Sequence, residues 1–234
     1  MAEFNKDGQP EGEWDDKGNL SWNEADWHQF LQRQEQEVAR FLRFYDECPT
    51  PGMERLDWVA RQMSWDSEDW SVSDFPDEEE AGEGWKEEDA NAPEFQDTDP
   101  YTLHRHPVFV VTSGLFLQVR YIWRCVLEQN QGKADALVSF DFAESLAEAE
   151  KHSLLAMQCM DMGDFLLCIV HLKRVLRGIN LSLSHLPSLV SISPAPERLQ
   201  TTLRSRLFDL REVCLRVLMD CREEEGRDFR DNDG

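Results

Sequence analysis

Apolar side chains recur at intervals of three and four residues through most of the chain, and this spacing limits the fold more than any other feature. Such spacing places one apolar stripe along a helix, whereas a half-buried strand needs strict alternation. Residues 108–112 are the only strand-like run, and the helical spacing that continues beyond them outweighs it. We therefore predict an all-α fold, an antiparallel bundle of four to five long helices with an acidic, Trp-rich N-terminal extension.

The ends of the apolar stripes place the helices along the chain. They predict helices over residues 21–48, 53–63, 108–128, 134–161, 165–186 and 197–224. A capping box is expected to start the first helix at Ser21. Gly163 and Asp164 predict a tight turn between two long helices, because Gly suits the end of one helix and Asp the start of the next. A loop is expected from Pro187, and a polar tail from Gly226.

For two helices, the sequence predicts which side chains are buried in the core. Helix 134–161 is expected to bury Leu137, Phe140, Leu146, Leu154, Leu155 and Met157. The last helix is expected to bury Leu203, Leu207, Leu210, Cys214, Val217, Leu218 and Cys221. Both sets follow from helical periodicity alone.

Charge divides the chain into two unlike parts. Residues 1–100 carry 29 Asp and Glu against 8 Lys and Arg, together with seven of the eight tryptophans, whereas residues 101–234 carry 18 against 16. We expect a flexible tail over 1–20, an acidic Trp-rich segment over 21–100, a helical-bundle core over 101–225 and a flexible tail over 226–234. Carboxylates repel phosphates, so nucleic acid is not an expected partner.

Cysteine use and the N-terminus indicate a cytoplasmic protein. The six cysteines form no CxxC pair, and five lie in apolar stretches, where a free thiol behaves as a small hydrophobe. The first residues lack the basic and apolar regions of a signal peptide. The longest apolar run, residues 108–127, is interrupted by arginines, which favours a buried helix over a membrane span.

One group of side chains could serve an enzyme. Glu144, Glu148 and His152 are spaced four residues apart on one predicted helix, and His171 lies on the next. They are candidates for metal binding or acid/base chemistry, although a hard metal needs several oxygen ligands that converge on one point. A solvated helix face is the simpler interpretation, and no cofactor or metal is expected.

A second candidate precedes the helix that starts near Pro107. His104, Arg105 and His106 could bind an anion, because two histidines flank an arginine beside the amide groups of a helix start. The sequence contains no nucleophile elbow, phosphate-binding loop, dinucleotide glycine pattern or zinc spacing. A covalent catalyst is therefore not expected.

The leading hypothesis is a non-enzymatic protein–protein interaction module. Trp58, Trp65, Trp70 and Trp85 are the expected anchors for a protein partner, because buried Trp contributes strongly at interfaces. The alternatives are a metal-dependent or acid/base enzyme of the all-α class that uses Glu and His groups on the bundle, and an acidic decoy that binds a basic protein. The oligomeric state stays open.

The last two predicted helices are rich in basic residues. These are Lys173, Arg174, Arg177, Arg198, Arg204, Arg206, Arg211, Arg216 and Arg222. Two interpretations fit them. The acidic segment 74–99 could lie across these side chains with its aromatic residues between helices, since Arg packs well on aromatic rings. Alternatively, acids and arginines are separate solvated faces, because exposed ion pairs contribute little.

Overall fold

The computed structural model describes residues 22–49, 54–65, 103–129, 135–190 and 196–232. Within these ranges the chain forms α-helices and one short 3-10 helix, with no strand. The helices are α1 (Glu24–Glu47), α2 (Glu54–Gln62), α3 (Pro107–Gln129), α4 (Ala136–Asp161), α5 (Phe165–Val190) and α6 (Pro196–Asn232), and the 3-10 helix is Leu103–Arg105. The predicted all-α fold is confirmed.

The N-cap of α1 lies two residues later than predicted. Asn23, and not Ser21, is the N-cap: its side-chain oxygen accepts hydrogen bonds from the amides of Ala25 and Asp26. The carboxylate of Asp26 in turn accepts from the Asn23 amide at 2.9 Å. Asn caps a helix as well as Ser does, and the acid three positions later completes the capping box.

The predicted tight turn between α4 and α5 is confirmed. Gly163 has φ of +72°, a left-handed conformation that favours glycine, and its amide donates to the Met160 carbonyl. The Asp164 side chain accepts from the amide of Leu167 at 3.0 Å and so caps α5. Only three residues join the two helices, which makes α4 and α5 an antiparallel hairpin.

The ends of α5 and α6 differ from the prediction. Pro187 lies inside the last turn of α5, whose end is fixed by a hydrogen bond from Gln200 of α6 to the carbonyl of buried Leu186. Helix α6 continues past Gly226, where the polar tail was expected to begin, as far as Asn232. An ion pair of 2.6 Å between Arg227 and Glu224 spans that glycine and supports the helix.

One hydrophobic core is shared by all six helices. The predicted apolar face of α6 is buried along its whole length, from Leu203 to Cys221. Helix α3 contacts α1, α4 and α6, while α5 contacts α4 and α6. No helix in the described ranges has the length and apolar character needed to cross a membrane.

The buried face of α4 agrees only in part with the prediction: Leu146 and Met157 are buried as expected, whereas three large apolar residues are exposed. Leu137 and Phe140 are 69% and 64% exposed, and Leu154 is exposed as well. The helix instead buries a face on which small residues alternate with larger ones. A Cβ atom at Gly178 of α5 would lie 2.8 Å from the Ser145 carbonyl oxygen. The two helices therefore approach closely along small side chains, which carry a weak hydrophobic signal in the sequence.

A buried polar network fixes α1 and α2 to α6. The Tyr45 hydroxyl donates to the carboxylate of Asp209, which also accepts from Arg55 at 3.0 Å. Arg55 of α2 donates to Ser205 at 3.0 Å, and the guanidinium of Arg206 lies 4.3 Å from the centre of the Tyr45 ring. Parts of the chain about 150 residues apart are thus held together by charge-assisted hydrogen bonds.

Candidate functional site

A groove of about 550 Å³ runs between α4 and α5. Carboxylates line its α4 side and cationic or titratable groups line its α5 side. The α4 wall contributes Asp141, Glu144 and Glu148, and the α5 wall contributes Arg174, Arg177 and His185. In the described ranges no ion pair joins the two walls; Glu148 pairs instead with Lys151 of its own helix. The groove is therefore polar on both sides, with opposite charge on each.

His152, which lines this groove, contacts a second histidine, His171. The Nδ1 atoms of His152 and His171 lie 3.0 Å apart, and His152 is only 9% exposed. Burial lowers the pKa of both rings, and for His152 the neighbouring His171 and Arg174 lower it further. Both rings are then neutral near pH 7, so one Nδ1–H can donate to the other ring. Such a pair can pass a proton between its rings.

The groove contains the predicted metal candidates, but all on one wall. Glu144, Glu148 and His152 follow one another along α4. Among the described residues, no three His, Cys, Asp or Glu side chains are arranged to hold a metal ion. The sequence places His171 only on the next helix, and the close packing of α4 on α5 brings it to His152. Acid/base chemistry here stays a hypothesis.

The residues before α3 have local structural roles. His106 Nδ1 accepts a hydrogen bond of 3.2 Å from the amide of Val108, so this ring caps α3. Burial lowers the pKa of His106 to about 4, opposed by Asp161, and burial also lowers the pKa of His104. Near pH 7 neither imidazole supplies the positive charge that anion binding needs. Of the predicted anion motif, only Arg105 is then cationic.

The capping role of His106 predicts how stability depends on pH. Because the folded protein resists protonation of a ring with a pKa near 4, while the unfolded chain protonates near 6.5, stability falls as the pH drops between those values. His106→Asn keeps a side-chain oxygen for the cap and cannot titrate. Between pH 7 and pH 4.5, urea unfolding should show that the natural protein loses about 2 to 3 kcal/mol more than the variant. Equal losses would contradict this role.

Two of the four predicted tryptophan anchors lie in the described ranges. Trp65 stacks on Phe41, with ring centroids 6.3 Å apart, and Trp58 is half-buried against the core. Both rings thus help to attach α2 to the rest of the molecule. Trp70 and Trp85 lie outside the described residues. The role of the four residues as partner anchors stays a prediction.

The basic residues of α6 divide into two groups. Arg206 pairs with Asp46 of α1 at 2.6 Å, and Arg216 pairs with Asp57 of α2. Where the structure describes the chain, no carboxylate lies within ion-pair distance of Arg204, Arg211 or Arg222. These arginines share one helical row with three apolar residues, at spacings of three and four. The α6 stripe consists of Arg204, Phe208, Arg211, Leu215, Met219 and Arg222.

The α6 stripe lies on the side of the helix away from the core. Phe208 is 47% and Met219 58% exposed, while Leu215 is partly exposed. The spacing that makes it one helical row is visible in the sequence, but only packing decides which arginines on α6 are paired.

Comparison with known proteins found no similar protein. No family model matches the chain, and it matches no curated protein and no solved structure. What the protein binds must then be inferred from its own surface chemistry.

Proposed function

We propose that the protein is a non-enzymatic protein–protein interaction module, and that its α6 stripe binds an acidic polypeptide segment with aromatic side chains. One observation carries the proposal. Phe208 and Met219 are exposed in a single helical row with three arginines that have no carboxylate partner in the described ranges. On the same helix, Arg206 and Arg216 are both paired.

The chemistry of the stripe indicates the class of partner. Arg and aromatic residues are enriched among the side chains that dominate binding at protein interfaces. Arginines that flank exposed apolar residues can pair with carboxylates while their stems and guanidinium planes pack on aromatic rings. A partner with both carboxylates and aromatic rings would therefore satisfy the whole row.

The surroundings of the stripe support an acidic partner over a basic one. Helix α5, which packs against α6, has three basic residues and no Asp or Glu. Residues 198–222 add six Arg against three Asp and Glu. Helix α5 and residues 198–222 of α6 are thus locally positive in a chain of net charge −23, although α6 over its whole length has eight Arg against nine Asp and Glu. The overall charge still opposes nucleic acid, whose phosphates are more densely spaced than carboxylates in a polypeptide.

A peptide-binding experiment tests this function. The probe is a fluorescent 20-residue peptide rich in Glu with two Trp residues, and its binding to the full chain is followed by anisotropy. Arg204→Gln, Arg211→Gln and Arg222→Gln together should weaken binding at least tenfold, because three charge-assisted contacts are lost. Raising the NaCl concentration from 0.05 to 0.5 M should also weaken it.

Two controls make the result specific. Arg124→Gln removes an exposed arginine of α3, which lies 5.5 Å over the Tyr121 ring, and should leave the affinity within twofold. A peptide with Ala in place of both Trp residues should bind more weakly if Phe208 and Met219 contribute. If neither the triple substitution nor the higher NaCl concentration weakens the affinity for the peptide, the proposed function is refuted.

A further inference from the structure

Resting on the proposed function of the α6 stripe, we infer that its occupant in the free protein is the chain's own segment 66–102. This segment joins α2 to the 3-10 helix and lies outside the described residues. Charge complementarity, aromatic content and the points where the segment begins and ends support the same assignment.

The composition of the segment is complementary to the stripe. Its 37 residues include 15 Asp and Glu and a single Lys. Trp70, Phe75, Trp85 and Phe95 are spread through it at intervals of five to ten residues. The stripe offers three arginines and three apolar side chains in one row, so carboxylates can pair with the arginines while aromatic rings pack on the apolar side chains.

The segment is attached at both ends to the described part of the chain, and it is long enough to reach the stripe. It begins after Trp65, at the end of α2, and α2 is tied to α6 by the ion pair between Asp57 and Arg216. It ends before Leu103, which packs against the core. An extended chain of this length spans up to about 120 Å. The stripe is only about 27 Å long, from the helical rise per residue. A tethered segment also has an effective concentration of about millimolar.

Other basic groups fit this occupant less well. Arg206 and Arg216 are already paired with acids of α1 and α2. Arg174 and Arg177 face the groove whose opposite wall carries Asp141, Glu144 and Glu148. Those carboxylates would repel an acidic segment, because like charges across a narrow groove oppose each other. The structure therefore assigns the segment to the α6 stripe and not to the α4–α5 groove.

Paramagnetic relaxation in the full chain tests the inference. Cys48 and Cys125, the two cysteines that are not fully buried, are replaced by Ser, and a nitroxide is attached at Met219→Cys. Amide signals of residues 66–102 should lose more than half of their intensity. A matched label at Phe140→Cys, an exposed apolar position on α4, should remove less than a tenth. Either 0.5 M NaCl or the three Arg→Gln substitutions in the stripe should restore the signals.

The outcomes separate this inference from the proposed function. Equal or absent intensity losses from the two labels would overturn the inference, even if the peptide binds the stripe. The inference would also be overturned if amide signals lose intensity only when the nitroxide and the observed amides are on different molecules. The stripe would then be occupied by a second copy of the chain. If the losses occur as expected but the free peptide does not bind, even after Glu78, Glu79 and Glu80 are changed to Gln to weaken self-occupancy, the inference stands and binding of a separate partner fails.

Discussion

Asp209→Ala is expected to lower the free energy of unfolding by about 3–5 kcal/mol, the usual effect of removing one partner of a buried ion pair. Asp209 is only 7% exposed and accepts hydrogen bonds from the Tyr45 hydroxyl and from Arg55. Without this carboxylate, the positive charge of the partly buried Arg55 guanidinium loses its ion-pair partner. Burial raises the pKa of Asp209, while Tyr45 and the arginines oppose that effect and favour the ionised form.

Urea unfolding followed by circular dichroism would measure the effect. Asp46→Ala is the matched control, because it removes the same chemical group from an ion pair with Arg206 whose aspartate side chain is 55% exposed. That change should cost less than about 1 kcal/mol. Similar losses from the two substitutions would show that the Tyr45–Arg55–Asp209 network does not fix α1 and α2 to α6 as described.

Gly178→Ala is expected to lower the free energy of unfolding by about 3 kcal/mol, at the upper end of the cost of overpacking. The new Cβ atom would lie 2.8 Å from the carbonyl oxygen of Ser145 and 2.9 Å from the Cβ of Ala149. The first of these is a backbone atom, so α4 and α5 would have to separate. Separation would also stretch the 2.8 Å hydrogen bond between Ser145 and Ser182.

Gly226→Ala provides the control for Gly178→Ala within another helix. A Cβ atom at Gly226 would meet nothing within 4 Å, and Ala is favoured over Gly in a helix interior. This substitution should raise the free energy of unfolding by about 0.5–1 kcal/mol. Thermal or urea unfolding of both variants shows directly whether each substitution raises or lowers the free energy of unfolding. If the Gly178→Ala variant is as stable as the natural protein, α4 and α5 do not pack as closely at Gly178 as described.

Much of the local structure could be predicted from the sequence. Helix periodicity located each described helix to within a few residues at most ends, and the turn at Gly163 and Asp164 formed as expected. Each residue of the buried apolar face of α6, from Leu203 to Cys221, was predicted correctly. These features depend on groups within about four positions of one another, and the sequence contains that information locally.

The candidate site was only partly visible in the sequence. Glu148 and His152 could be placed on one helix, but the contact of His152 with His171 depends on how closely two helices pack. The buried face of α4 was predicted only in part: Leu146 and Met157 are buried as expected, but Ser145 and Ala149 are buried too, while Leu137 is exposed. A large apolar residue contributes strongly to periodicity wherever it points, whereas small residues decide how near two backbones can come.

The sequence by itself determined the helical class, the separation of an acidic from a nearly neutral part, and the buried apolar face of α6 from Leu203 to Cys221. Only the tertiary structure decided which arginines pair, which face of α4 turns inward and how Asp209 comes to lie beside Tyr45. The physical reason is the range of the forces involved. Backbone hydrogen bonds and caps act between near neighbours, whereas burial and ion pairing depend on side chains that meet only when distant segments pack.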